Sequence, residues 1–282
     1  MCRPPYIKKY DFDEHCFNNR NDSLKLSSTT VDIIPDNIHY LSLTYCDITN
    51  MKLPKNLKKI SIIDCAIHNK NIYYYIYLFF QIIYKKFSLF ENAMLFFHNG
   101  CINHKININS MPDSIEYLEI STNCYVMQYP IMLQKLLIYK GGYNFDFYNF
   151  NLKLPNSLTH LSLPPIKYNN LELPPNLKYL NLKGFIGKII YPPSLKYLNV
   201  YSSTFNFSTI PSTVKNIGIR SNNISIDNLP THIKKIRLYV HDDNTNILNL
   251  PTLLKKIYID YYGSFCKDIN IKIPFNCEKI FL

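Results

Sequence analysis

The chain has 282 residues, 47% of them apolar and 15% aromatic, which is ample for a core, and carries a net charge of +11. Only Arg3, Arg20, Arg220 and Arg237 among its 31 basic residues are arginine; a lysine excess gives a diffuse positive field, not the planar forks that read phosphates and base edges, so nucleic acid is not the favoured partner. The eight cysteines are irregularly spaced and contain no C-x-x-C, which argues for reduced thiols in a cytosol-like compartment.

Residues 1–33 are polar and irregular and read as an N-terminal cap, in which Leu24-Lys25-Leu26 is the strand of a degenerate first coil. The first seventeen residues have no apolar central run, so no secretory signal is expected. Two phrases of the form L-P-x-x-L-x-x-L-x-L follow, at 34–43 and 53–62, with prolines 19 apart. An irregular, lengthened segment occupies 66–110. Within it, 80–89 fits the phrase if Gln81 replaces proline, so a degenerate repeat is expected there. The apolar run 72–84 is too short to cross a bilayer as a helix, and no membrane segment is expected.

The phrase returns at 111–120 and 129–138, and a bulge at 141–150 lengthens the next step to 25. The regular centre begins with Leu154-Pro155-Asn156-Ser157-Leu158-Thr159-His160-Leu161-Ser162-Leu163. Four more phrases follow it, with first prolines at 174, 192, 211 and 230, in steps of 19, 18, 19 and 19. Phrases at 250–259 and 273–282 complete the series. Chance does not keep so many phrases in register, so 34–282 reads as one repeat solenoid.

Each phrase ends in L-x-L, the period-2 pattern of a strand with one buried face. Units of about 19 residues leave no room for a full crossover helix, so the return path should be mostly extended or turn-like. The fold expected is an α/β-type repeat fold, mostly β, with one short parallel strand per repeat. Residues at Pro−1, Pro+3, Pro+6 and Pro+8 should point inward. Those at Pro+5 and Pro+7 should face solvent.

The phrase L-x-x-L-x-L-x-x-N/C resembles the leucine-rich-repeat signature, with Cys46, Cys65, Asn123 and Asn222 three residues after the strand. These residues should donate to backbone carbonyls as a ladder at a turn, Cys46 stacking beside Cys65. A metal pair there would lack its third and fourth ligands. More narrowly, Phe150-Asn151 and Phe205-Asn206 before the proline phrase resemble FNIP repeats, a short leucine-rich-repeat variant of amoebal and giant-virus proteins. Members of that family often carry an F-box that recruits a ubiquitin ligase. The 33 residues before the first phrase are short and polar for one.

Function should then reside on the strand-side face. The candidate partner-binding residues are Tyr40, Tyr117, His160, Tyr179, Tyr197 and the basic set Lys235, Arg237 and Lys256 with Tyr258. Tyrosines on a rigid sheet are large anchors that cost little to order. The opposing explanation is that tyrosine suits strands and lysine follows A/T-rich codons. No catalytic residue, metal ligand set or cofactor motif is recognisable. The expected protein is a non-enzymatic scaffold for a protein partner in the cytoplasm, or host cytoplasm if viral. The alternatives are a basic nucleic-acid binder and the substrate-recognition part of a ubiquitin ligase. Phe281 and Leu282, with no polar cap after them, lead to the further expectation of self-association through the last coil.

Overall fold

The computed structural model describes residues 21–29, 31, 33–46, 48, 51–63, 65, 106–108, 111–121, 124–126, 128–139, 153–165, 167–184, 186–201, 205–220, 229–240, 246–247, 250–261 and 270–282. In chain order their strands are β1 (Ser23–Ser27), β2 (Tyr40–Thr44), β3 (Lys59–Ile63), β4 (Ile106–Ile108), β5 (Tyr117–Ser121) and β6 (Cys124–Val126). Next come β7 (Lys135–Tyr139), β8 (His160–Leu163), β9 (Lys167–Glu172), β10 (Tyr179–Lys183), β11 (Ile186–Ile190) and β12 (Tyr197–Tyr201). The last are β13 (Asn216–Arg220), β14 (Lys235–Val240), β15 (Asn246–Ile247), β16 (Lys256–Tyr261), β17 (Asn270–Ile271) and β18 (Glu278–Phe281).

Twelve of these strands form one parallel sheet in the order β1-β2-β3-β5-β7-β8-β10-β12-β13-β14-β16-β18. Short parallel pairs, β4 with β6, β9 with β11 and β15 with β17, lie on the return path. The molecule is thus a leucine-rich-repeat-like solenoid, whose described return segments carry short strands and one 3-10 turn. Leu24-Lys25-Leu26 does form the strand of a first coil, in register with Leu41-Ser42-Leu43.

The local chemistry of the phrase explains the stack. At each corner the proline carbonyl accepts from the N–H three residues on, as in Leu177 to Pro174 at 3.2 Å and Leu195 to Pro192 at 3.1 Å. Proline's fixed φ and missing donor suit that position. The next two N–H groups then share one carbonyl of the preceding coil: Lys178 and Tyr179 both donate to Thr159, at 2.9 and 3.0 Å. Where serine follows the proline by two, its hydroxyl donates to the Pro+3 carbonyl of the previous coil. Ser114 reaches Leu57 at 2.8 Å, Ser157 reaches Leu133 at 2.7 Å and Ser194 reaches Leu177 at 2.7 Å. The serine in the phrase is a staple between corners.

The residues at Pro+3, Pro+6 and Pro+8 build the core; Leu195, Leu198 and Val200, one full set, are all fully buried. Each such side chain contributes about 1.5–3 kcal/mol on burial. At Pro−1 the burial is less complete, Leu154, Leu173 and Tyr191 being only partly covered.

The degenerate repeat expected at 80–89 lies outside the described residues; β3 pairs directly with β5, Lys59 beside Tyr117 and Ile60 beside Leu118. Two expectations need amendment. At Pro+7, Ser42, Ser61, Ser162 and Asn181 are buried despite pointing away from the core, because longer Pro+5 and Pro+9 side chains flank them. The last coil slips by one residue. Glu278, not Lys279, stands beside Lys256, and Lys279 falls in the column of inward Ile257. Its corner keeps the Cys277 to Pro274 bond at 3.1 Å. Asn276, however, takes a positive φ of 65°, as the third residue of a type II turn does. A one-residue slip turns each side chain to the other face.

Candidate functional site

The strand-side face carries three outward columns. The Pro+5 column begins with Tyr40, Lys59 and Tyr117 on adjacent strands. The Lys59 ammonium lies between the two rings, 5.5 Å from the Tyr40 centroid and 5.9 Å from that of Tyr117. Cation and ring attract through the ring quadrupole.

Farther along the same column, His160, Tyr179 and Tyr197 stack face to face. Their centroids are 4.1 and 4.4 Å apart, with interplanar angles of 9° and 8°. Parallel strands in register place equivalent side chains at about the 4.8 Å strand spacing, close to the distance at which rings stack. Thr159 Oγ1 stands 2.8 Å from His160 Nδ1 and orients the imidazole. The ladder stops at the next strand, where the column holds Asn216.

The Pro+7 column is the polar floor between the outer columns. In β10, β12, β13 and β14 it reads Asn181, Asn199, Gly218 and Arg237. A Cβ added at Gly218 would stand 2.1 Å from Asn199 Oδ1, so the Asn199 amide lies over the glycine. Among the described residues Asn181 Oδ1 is buried without a hydrogen-bond partner. These residues, with the ring ladder and Lys235, line a concavity of about 180 Å³.

The basic end is partly neutralised. Arg237 holds Asp260 through Nε at 2.7 Å and Nη2 at 2.5 Å, with both side chains largely buried. The guanidinium also lies 5.0 Å from the Tyr239 ring centroid. Lys256 pairs with Glu278 at 2.6 Å, and that hydrogen bond and charge push the Lys256 pKa up. Lys235 is exposed and forms no ion pair among the described residues. In the Pro+9 column, burial and then the neighbouring Arg220 charge hold the Lys183 pKa down, against an opposing pull from Glu119. The Lys183 ammonium sits 4.8 Å from the Tyr139 ring centroid.

The nine residues expected at the site therefore fall into separate groups. Tyr40 and Tyr117 flank Lys59 at one end, whereas His160, Tyr179 and Tyr197 form the ladder. Lys235 and Arg237 close the concavity, with Lys256 and Tyr258 on the following strand. Asn181, Asn199, Gly218 and Asp260 belong to the same surface and were not anticipated. Gly218 carried a signal, as a glycine in the strand of a chain with only seven. Among the described residues no group of three or more His, Cys, Asp and Glu side chains could hold a metal. No helix among them is long and apolar enough to cross a membrane.

No family profile and no curated protein sequence matches the chain. Among solved structures it is similar to CroV588, described as a novel circular LRR protein structure, with 16% identity and a TM-score of 0.46 over 89% of this chain and 41% of that one. It is also similar to YopM from Yersinia enterocolitica WA-314, with 14% identity and a TM-score of 0.42 over 90% of this chain and 57% of that one. The chain spans about half the length of the solved proteins it matches.

Proposed function

We propose that the chain is a non-enzymatic protein-interaction scaffold that binds its partner on the strand-side face. The observation that carries this reading is the ring ladder His160, Tyr179 and Tyr197 beside a polar concavity, on a rigid twelve-stranded sheet. Stacking fixes the rings before any partner arrives, so little side-chain freedom is lost on binding. The ring edges and phenol hydroxyls then serve as amphipathic contacts. Cytoplasmic residence goes with this reading, as the thiols of Cys46, Cys65 and Cys277, in the reduced form, would suit a reducing compartment.

We also read the repeats as FNIP-type. In support, Asn206 of the Phe205-Asn206 pair accepts from the Ser208 N–H at 3.1 Å and from its hydroxyl at 2.7 Å. It thereby caps a 3-10 turn (Phe207–Thr209) that buries Phe207 against Phe205. Such a role gives the Phe-Asn pair a reason to recur before the proline.

The test is affinity capture with the full chain, followed by substitution. Tyr179→Ala with Tyr197→Ala should release the captured protein, while Glu172→Lys on the return path should retain it. Retention by the double variant and loss with Glu172→Lys would place binding on the other side.

A further inference from the structure

From Tyr40 to Lys256 the Pro+5 column holds a ring or a cation on each described strand except at Asn216. Its first described rings sandwich a cation, Tyr40 and Tyr117 about Lys59. Its central rings stack on each other and end at Tyr197. One strand later comes Asn216, and one strand after that Lys235. The stack runs across the sheet, so the second face of the Tyr197 ring points along the column toward Asn216. Among the described residues no ring or cation covers that face.

We propose that the gap over Asn216 is a slot for one aromatic side chain of an acidic peptide segment, which stacks on Tyr197 and is capped by the Lys235 ammonium. The inference rests on the strand-side reading above and specifies its contact. The guest ring would complete the ring-and-cation order that Tyr40, Lys59 and Tyr117 already show. The concavity of about 180 Å³ is smaller than cofactor or drug-sized sites, which run to roughly 300–1,000 Å³, and suits a single side chain.

Charge selects the flanking residues. Lys234 and Lys235 are exposed at this point, and Lys215 lies one coil earlier. Arg237 is already engaged by Asp260, so the accessible cations are ammonium groups, matched to single carboxylates more than to the forked oxygens of a phosphodiester.

The probes are three blocked pentapeptides, Glu-Glu-Tyr-Glu-Glu, Glu-Glu-Leu-Glu-Glu and Lys-Lys-Tyr-Lys-Lys, titrated into the full chain by NMR or calorimetry. The acidic tyrosine peptide should bind about threefold to tenfold tighter than the leucine peptide, the range an aromatic pair supplies. The basic peptide should bind more weakly than either. Asn216→Tyr fills the slot with the protein's own ring, and should preserve the thermal midpoint while abolishing the preference for tyrosine. Gly218→Ala, which displaces the Asn199 amide from the floor, is a second variant with the same expected loss. Equal affinity for tyrosine and leucine peptides, or a tyrosine preference that survives Asn216→Tyr, overturns the slot. So does binding of adenosine monophosphate without binding of either acidic peptide. A captured partner that depends on Tyr179 and Tyr197 would survive each of these failures, because it tests the face and not the slot.

Discussion

The main-chain N–H of Cys46 donates to the thiol sulfur of Cys65 at 3.4 Å, joining two successive coils at the turn after their strands. Each thiol in turn donates within its own coil, Cys46 to the Thr44 carbonyl at 3.5 Å and Cys65 to the Ile63 carbonyl at 3.6 Å. Both side chains are almost completely buried. The cysteines are therefore hydrogen-bonding turn residues, the role expected from their place in the phrase. Replacing Cys65 by alanine strands the buried Cys46 N–H, at about 1–3 kcal/mol, whereas the Ile63 carbonyl keeps the Tyr45 N–H as a partner at 3.1 Å. Cys65→Ser keeps both functions and should cost less. Thermal unfolding of the two variants decides it: equal losses would assign the effect to lost volume alone.

Leu180 and Asn181 contrast the two faces of one strand. Leu180→Ala should cost about 2–5 kcal/mol, as truncation of a core leucine does. Asn181 points to the opposite face yet is only 7% exposed. Asn181→Asp should therefore also destabilise strongly, by placing a carboxylate among the flanking Pro+5 and Pro+9 side chains. Asn181→Ser, the residue at Ser42, Ser61 and Ser162, should be tolerated. Chemical denaturation measures all three, and a neutral Asn181→Asp would contradict the burial.

Arg237 and Asp260 test whether the basic end of the face is a structural or a free charge. Their side chains are 12% and 14% exposed, so removing one partner leaves the other poorly solvated. Asp260→Ala should cost about 3 kcal/mol, near the lower bound for a broken buried pair. Arg237→Met with Asp260→Leu should recover most of that loss. A double-mutant cycle without coupling would show that the pair contributes nothing.

The architecture was legible because the core positions and the corner proline repeat in one phrase, and each residue of that phrase has a single local task. Leu198 fills the stack, Pro192 sets the corner and Ser194 staples it to the coil before. Side-chain relations between coils were less legible. Asn181 is buried because Tyr179 and Lys183 stand on either side of it, which a two-residue alternation does not encode. The slip in the last coil follows from the backbone at Asn276, whose positive φ no hydrophobic pattern reports. The ring ladder was visible only in part. The column of Tyr and His could be read from spacing, but not that its rings meet face to face and leave Tyr197 open toward Asn216.

Lys183 gives the face a pH-dependent stability. Burial first, and then the Arg220 charge, disfavour its ammonium in the fold, so the folded pKa lies below the ordinary 10.5; Glu119 opposes the shift. The Tyr139 ring, 4.8 Å from the ammonium, offsets part of the desolvation. Between the depressed pKa and 10.5 the unfolded chain holds a proton at this site that the folded chain has released. Stability contributed by Lys183 therefore rises with pH through that window. Below the window both states carry the charge, and the fold bears the whole penalty. Lys183→Met removes the penalty and the titration together. The variant should unfold at a higher temperature than the wild type at neutral pH, and the gap should shrink as pH approaches 10.5. Other alkaline titrations, such as that of Tyr191, whose phenol burial pushes above its usual range, affect both proteins alike and cancel in the difference. A gap that stays constant or widens over that range would show that Lys183 is not held in a penalised charged state.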